Sequence, residues 1–303
     1  MKFKPELSVN QKIELPFKSS VSLYIKREDL IHPIISGNKY RKLKYNIAFA
    51  ETLNQDTLLT FGGAFSNHIA AVAEAGRVYG LKTIGIIRGE ELNDKVLDSP
   101  TLKFAQSCGM QFKFISREAF RLKGTQSFYE KIKKEFGDFY LIPEGGTNDL
   151  AVKGCEEILT ETDRKFNYIC ASVGTGGTLS GLINNSNTAQ KVLGFSALKG
   201  DFLKEDISKF AKQDNWQLMT DYHFGGYAKI NTELVTFINS FKKQNNIALD
   251  PVYTGKMMFG IYDLIKRDYF KPNSEILVIH TGGLQGIVGM NKRLKQKQQQ
   301  LIL

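Results

Sequence analysis

From residue 57 to residue 280 short apolar runs alternate with helical segments, and this alternation limits the fold more than any other feature. Runs at 57–61, 82–88 (Ile84, Ile86, Ile87), 112–115, 139–142, 168–173, 191–195, 217–219 and 275–280 read as strands. Stretches at 67–79, 100–108, around 128–136, 149–159, 178–183, 232–243 and 256–269 read as helices. Strands alternating with helices predict an α/β fold with mostly parallel sheets. Such sheets receive ligands at the carboxyl ends of their strands. No internal repeat is visible.

Four of the strand-following loops are rich in glycine and small polar residues. They are Gly62-Gly63-Ala64-Phe65-Ser66-Asn67-His68, Pro143-Glu144-Gly145-Gly146-Thr147, Gly174-Thr175-Gly176-Gly177-Thr178 and Thr281-Gly282-Gly283. One such loop is an ordinary turn; four suggest small-ligand loops converging on one cleft. The third is the sharpest. Consecutive glycines let backbone N–H groups form an anion nest at a helix N-terminus, with Thr175 and Thr178 as further donors. Leu179 stands where a dinucleotide fingerprint wants a third glycine, and the Gly-Lys-Ser/Thr of a nucleotide P-loop is missing. The loop therefore suits a single terminal phosphate, or else it is a plain turn. Ser66 and Asn67 open a helix, either as its N-cap or as ligand contacts. His68 reads as structural.

Ahead of these loops stands Ser36-Gly37-Asn38-Lys39-Tyr40-Arg41-Lys42-Leu43, after an extended run at 21–26 and before an amphipathic helix with Tyr40, Leu43, Ile47 and Ala50 on one face. Lys39 has two readings. It is a solvated lysine at a helix start, or an amine held ready to form a Schiff base, its neutral form favoured by the positive end of the helix.

Composition narrows the classes further. A chain of 303 residues with 42% hydrophobic and 24% charged residues suits two modest α/β domains or one large one. No apolar run approaches the roughly 18 residues of a membrane span. The start, Met1-Lys2-Phe3-Lys4-Pro5, has no apolar signal core, so a cytoplasmic protein is expected. Net charge is +10, but the lysines are scattered among acids, which argues for a solvated basic surface and against nucleic acid. The one dense run, from Lys292 into Gln300, is expected to be a fraying last helix. Cys108, Cys155 and Cys170 read as reduced core thiols. His32, His68, His223 and His280 make no metal-like cluster, so no metal site is expected.

A reactive lysine, a separate phosphate loop and a polar Ser-Asn loop together describe a pyridoxal-phosphate site. The sequence resembles the fold type II pyridoxal-phosphate enzymes, in the branch containing 1-aminocyclopropane-1-carboxylate deaminase and D-cysteine desulfhydrase. Seven blocks carry the resemblance in order: residues 25–30, 37–43, 65–68, 142–146, 173–178, 250–256 and 280–283. It implies the tryptophan synthase beta-like fold, with a small domain at 38–146 and a large cofactor-binding domain from 1–37 and 147–303. It implies pyridoxal 5'-phosphate as cofactor, a small amino acid as substrate and a homodimer.

The resemblance also implies roles. Lys39 would carry the cofactor and shuttle the α-proton. Asn67 would bond the ring's phenolic oxygen, and Ser66 would sit by the substrate carboxylate. Gly174, Thr175, Gly176, Gly177 and Thr178 would hold the phosphate, with Lys42 as a helper. Tyr253 would lie against the ring, and Tyr227 would be the second active-site tyrosine. In the deaminases the residue after the first tyrosine is Glu; here it is Thr254. Thr281 is a second hydroxyl available to the ring nitrogen. A hydroxyl there leaves the ring largely unprotonated, which suffices for β-elimination of a good leaving group and disfavours opening a cyclopropane. D-cysteine desulfhydrase-like elimination to pyruvate, ammonia and sulfide is thus expected, with the cyclopropane-carboxylate deaminase reaction as alternative. A binding protein with a degraded site is the reading from another class; the intact Lys39, Asn67 and Gly/Thr loop count against it.

Overall fold

The computed structural model describes residues 3–303. Strands β1 (Asn10–Ile13), β2 (Ser22–Lys26), β3 (Thr57–Gly62), β4 (Lys82–Arg88), β5 (Gln111–Ile115), β6 (Tyr140–Ile142), β7 (Tyr168–Val173), β8 (Lys191–Ser196), β9 (Trp216–Met219) and β10 (Glu275–Ile279) form two sheets. The smaller has the order β5-β4-β3-β6 and is parallel throughout. The larger has the order β1-β2-β10-β7-β8-β9; β1 pairs antiparallel with β2, and the other ladders are parallel. Every residue of β3 and of β7 is buried, as parallel strands covered on both faces require.

The helices are α1 (Asn38–Thr52), α2 (Asn67–Tyr79), α3 (Pro100–Ser107), α4 (Arg117–Arg121), α5 (Gln126–Phe136), α6 (Asp149–Glu156), α7 (Gly177–Asn185), α8 (Leu203–Ser208), α9 (Thr232–Asn245), α10 (Thr254–Lys266) and α11 (Gly286–Gln296). Side-chain oxygens cap many of them: Ser66, Ser99, Ser116, Thr125, Asn148 and Asn231 each accept an N–H of the first turn.

Several sequence expectations need correction. β1 is a polar edge strand in which only Ile13 is buried, so it carries no apolar signal. α4 and α8, of five and six residues, are too short to show a period. α10 begins two residues earlier than the pattern indicates, because Asp250 accepts the N–H groups of Val252, Tyr253 and Thr254. It stops at Lys266, where Asp268 turns to φ 52°. Cys155 and Cys170 are buried, but Cys108 is only half-buried, 3.6 Å from the Glu74 carboxylate.

The C-terminal tail does not fray. Beyond α11 the chain returns to the body: Asn239 donates to the Leu301 carbonyl at 2.8 Å and accepts from Leu303 N at 2.9 Å. Ile302 N donates to Asn291 at 2.9 Å, and the Ile302 side chain is 4% exposed in the core built on α9 and α10. One apolar residue thus anchors a stretch whose composition reads as solvent-facing. No helix among the described residues is long and apolar enough to cross a membrane.

Candidate active site

β3 and β6 are neighbours, so the loops after Gly62 and Ile142 leave the same end of the small sheet. β7 and β10 are neighbours in the large sheet, and the loops after Val173 and Ile279 likewise leave together. The two ends face each other. The Lys42 ammonium, on α1, donates to Gly145 O at 2.9 Å and Thr147 Oγ1 at 3.0 Å on one side, and to Thr175 Oγ1 at 3.4 Å on the other. Gly283 meets Asn67 so closely that a Cβ there would lie 2.6 Å from Asn67 Nδ2. The four glycine-rich loops do converge on one cleft.

The start of α1 is pressed into that cleft. Gly37 has φ +57°, and a Cβ at this position would sit 2.3 Å from the Thr281 carbonyl, so only glycine lets α1 approach the loop after β10. The helix is held from behind by a buried ion pair. Glu28, fully buried, accepts from Arg41 Nε at 2.9 Å and Nη2 at 2.8 Å. Removing one partner of such a pair leaves a buried charge uncompensated and costs about 3–5 kcal/mol.

Lys39 thereby points its amine into the cleft, where its protein partner is Asn38 Oδ1 at 3.1 Å. Burial, and then repulsion by Lys42, lower its pKa to about 7, with Asp250 opposing. Burial is the leading cause. Lys42 is also lowered by burial, but its amine is occupied by three oxygens. Lys39 is therefore the amine available for nucleophilic chemistry. An aldehyde reagent that attacks only free amines should modify Lys39 with a rate that rises through pH 7 and then levels off. Surface lysines should keep gaining reactivity toward pH ~10.4. Peptide mass analysis across pH 6–9 checks this, and a Lys39 profile like that of the surface lysines would refute the shift.

The glycine-threonine loop after β7 forms another part of the cleft. Gly174 to Thr178 lead into α7 through Gly176 at φ +83°. Ser180 N bonds Gly176 O at 3.0 Å, so the N–H groups before it precede the intrahelical ladder and are free for a ligand. Thr178 Oγ1 accepts from Asn38 Nδ2 at 2.8 Å, leaving its hydrogen to donate. Thr175 Oγ1 lies 2.7 Å from Thr147 Oγ1. Asn38 and Thr147 were not singled out from sequence. Asn38 ties the lysine helix to the phosphate loop, a contact that no local pattern signals.

Ser66 is the N-cap of α2, accepting from Ile69 N at a long 3.3 Å, which leaves its hydrogen free. Asn67 follows it with a buried Oδ1 that has no hydrogen-bond partner. Such an orphan calls for a ligand group, and rotating the amide would offer a donor instead. Thr60 donates to Ile142 O at 2.8 Å, so its oxygen accepts from His68 Nε2 at the same distance. Burial and the two lysines hold the His68 imidazole neutral, well below its usual pKa. His68 braces the loops, as expected.

On the other wall Tyr253 packs against Gly174, where a Cβ would lie 3.0 Å from Cε1. Tyr227 meets it edge to face, with centroids 6.2 Å apart at 64°. Burial raises both phenols, Tyr253 strongly, so both are protonated donors at neutral pH. Thr254 is fully buried, and its hydroxyl is engaged with Asp250, donating to Oδ1 at 2.8 Å and accepting from Asp250 N at 2.9 Å. Asp250 in turn accepts from Val252 N, Tyr253 N, Thr254 N and Thr254 Oγ1, which fills the four acceptor positions of a carboxylate. Thr281 Oγ1 pairs with Ser172 Oγ at 3.2 Å.

An amine that loses its proton near pH 7, a glycine-threonine loop with N–H groups at a helix start, an orphaned amide and an aromatic wall fit a flat, phosphorylated aldehyde. The comparisons agree. The family described as "Pyridoxal-phosphate dependent enzyme" matches residues 10–282. A Pyrococcus horikoshii protein provisionally named 1-aminocyclopropane-1-carboxylate deaminase is 32% identical over 288 residues, covering 87% of this chain and 85% of its own. The Arabidopsis thaliana bifunctional D-cysteine desulfhydrase/1-aminocyclopropane-1-carboxylate deaminase is 31% identical over 297 residues, 89% of this chain and 74% of its own. Among solved structures, an ACC deaminase homologue superposes with a TM-score of 0.80 at 29% identity, covering 96% of this chain and 97% of that one. The chain belongs to the fold type II pyridoxal-phosphate-dependent enzymes, in the family of 1-aminocyclopropane-1-carboxylate deaminase and D-cysteine desulfhydrase.

Proposed function

We propose that this enzyme catalyses α,β-elimination on a small amino acid, with D-cysteine the favoured substrate, giving pyruvate, ammonia and sulfide. Bound pyridoxal phosphate supplies the electron sink that withdraws charge from the substrate α-carbon. Lys39 would hold the cofactor and take the α-proton. The backbone of Gly174 to Gly177 with the Thr175 and Thr178 hydroxyls would hold the phosphate, supported by Lys42. Asn67 would orient the ring through its oxygen, and Tyr253 would flank the ring. Ser66 would bind the substrate carboxylate, with the Tyr227 phenol at the departing group. We propose with it that 38–146 and the remainder form two domains flanking this cleft.

The observation that carries the reading is the absence of a free carboxylate in the 250–254 turn. Asp250 has no acceptor position left, and Thr254 stands beside it with its hydrogen already given. Thr281 remains able to donate a hydrogen bond when Ser172 donates to it, which suits an unprotonated ring nitrogen. Such a ring stores less negative charge, so turnover depends on a good leaving group. β-Chloroalanine and D-cysteine are expected to react well, D-serine poorly and 1-aminocyclopropane-1-carboxylate hardly at all. Parallel assays of pyruvate, sulfide, ammonia and α-ketobutyrate check this. The deaminase reading stays as second, because relatives 31–32% identical carry that name. Efficient α-ketobutyrate formation would put it first.

A further inference from the structure

Tyr227 lies in a segment without regular structure, residues 220–231, and leaves 45% of its surface exposed. Nothing in its own sequence neighbourhood would fix it over a cleft. Two side-chain-bearing residues before and after it are held in the left-handed region: Phe224 and Ala228 both have φ 53°, on either side of Gly225 and Gly226 at φ 90° and 116°. Non-glycine residues stay in that region only when the surroundings over-determine them.

The surroundings here are one face of α10. Lys256 is 2% exposed, and its amine donates to His223 O and to Gly226 O, both at 2.8 Å. Those two carbonyls bracket the turn that delivers Tyr227, in which Gly226 N bonds His223 O at 3.0 Å and His223 Nδ1 accepts from Gly225 N at 2.9 Å. One helical turn further, Phe259 packs edge to face on Phe224 with centroids 5.0 Å apart. Gly260 lies under the Tyr222 ring, where a Cβ would come within 2.7 Å, and Asp263 accepts the Tyr222 hydroxyl at 2.7 Å. Positions 256, 259, 260 and 263 share one face of a helix. The same helix starts one residue after Tyr253.

Lys256 is an expensive way to fill this space. Its amine loses solvation on burial, Asp250 offsets this only in part, and its hydrogen-bond partners are backbone carbonyls. A buried amine without a bonded carboxylate costs more than an apolar side chain of the same shape unless its bonds are needed. We infer that Lys256 is a positioning residue, a latch that fixes the 220–231 loop to α10 and so sets Tyr227 against Tyr253. α10 then acts as a ruler between the two tyrosines. The role given to Tyr227 rests on the function proposed above; the latch itself does not.

Hydrogen exchange on the purified, cofactor-loaded protein tests it. Lys256→Met keeps the stem and removes the donors. Exchange in 220–231 is expected to rise at least about tenfold, with β7, β8 and α9 unchanged. Lys256→Arg, which keeps donors on a cation, is expected to retain most of the protection. In kinetics, Lys256→Met should lower kcat/KM in the parent and cost little more in a Tyr227→Phe background, because the latch acts through the placement of the Tyr227 phenol, which that background already lacks. Unchanged loop exchange, or exchange that rises equally across β7 and β8, overturns the latch. A full additive loss in the double variant shows that the latch does not act through Tyr227 and overturns that part. Should no amino acid be turned over, the exchange result still decides the latch, and only the proposed reaction falls.

Discussion

Lys39→Ala is expected to remove turnover to the limit of detection while the fold persists. Loss of a general base alone costs about 10²–10⁴-fold, and this change also removes the amine that carries the cofactor. Lys42 is not a substitute. Its amine is fixed by Gly145 O, Thr147 and Thr175, and moving it into the cleft would strip three polar groups of their donor. Lys39 gives up only the bond to Asn38 Oδ1 when it reacts. The side chain is half-buried at the first turn of α1, so truncation should leave the Gly37–Thr281 contact and the Glu28–Arg41 pair intact. Borohydride treatment of the parent, followed by peptide mass analysis, should place the cofactor on Lys39, and the variant should carry none. Residual turnover above about 1% of the parent, or label on Lys42, would defeat the assignment.

What could be read from sequence divides along physical lines. The strands of the core announce themselves because a parallel strand covered on both faces must be apolar throughout, as β3 and β7 are. The glycine-rich loops are legible for a related reason: only a few residue types permit such turns, so their purpose shows in their composition. Contacts between loops are another matter. Gly37 reads as the entry to a helix, yet its measurable constraint is the Thr281 carbonyl. Asp250 reads as one letter in a motif, and its work as a cap with four bonds emerges only when the start of α10 is seen. That cap changes the meaning of Thr254. From sequence it is a hydroxyl free to face the ring nitrogen; in the fold its hydrogen already belongs to Asp250. Thr254→Glu would now bury a second carboxylate against the first, a destabilising change. Tyr227 is legible only through the family resemblance, since a loop fixed from behind by Lys256 leaves no periodic trace.

Gly176→Asp is expected to abolish cofactor retention, through two separable effects. The first is backbone strain. Gly176 sits at φ +83°, where side-chain-bearing residues are rarely found, and its Cβ would come within 3.0 Å of Ile207 Cγ1. The second is charge. A carboxylate about 4 Å from a phosphate costs roughly 1–4 kcal/mol per unit of phosphate charge, depending on how much water screens the pair. At 1.4 kcal/mol per tenfold, with a phosphate of nearly two charges, the charge alone should lower affinity by about 25-fold or more. Gly176→Ala isolates the strain and should lose much less. The fold should survive both changes, because Leu179, Leu182 and Ile183 of α7 keep the core under this loop and only Ile207 has to give way by a few tenths of an ångström. Equilibrium titration of the cofactor into both variants, with melting temperatures alongside, gives the measurement. If the aspartate variant binds the cofactor as tightly as the parent, Gly174 to Thr178 is a turn and the phosphate lies elsewhere. If alanine and aspartate weaken binding equally, the loop still matters but its anion-binding character is wrong.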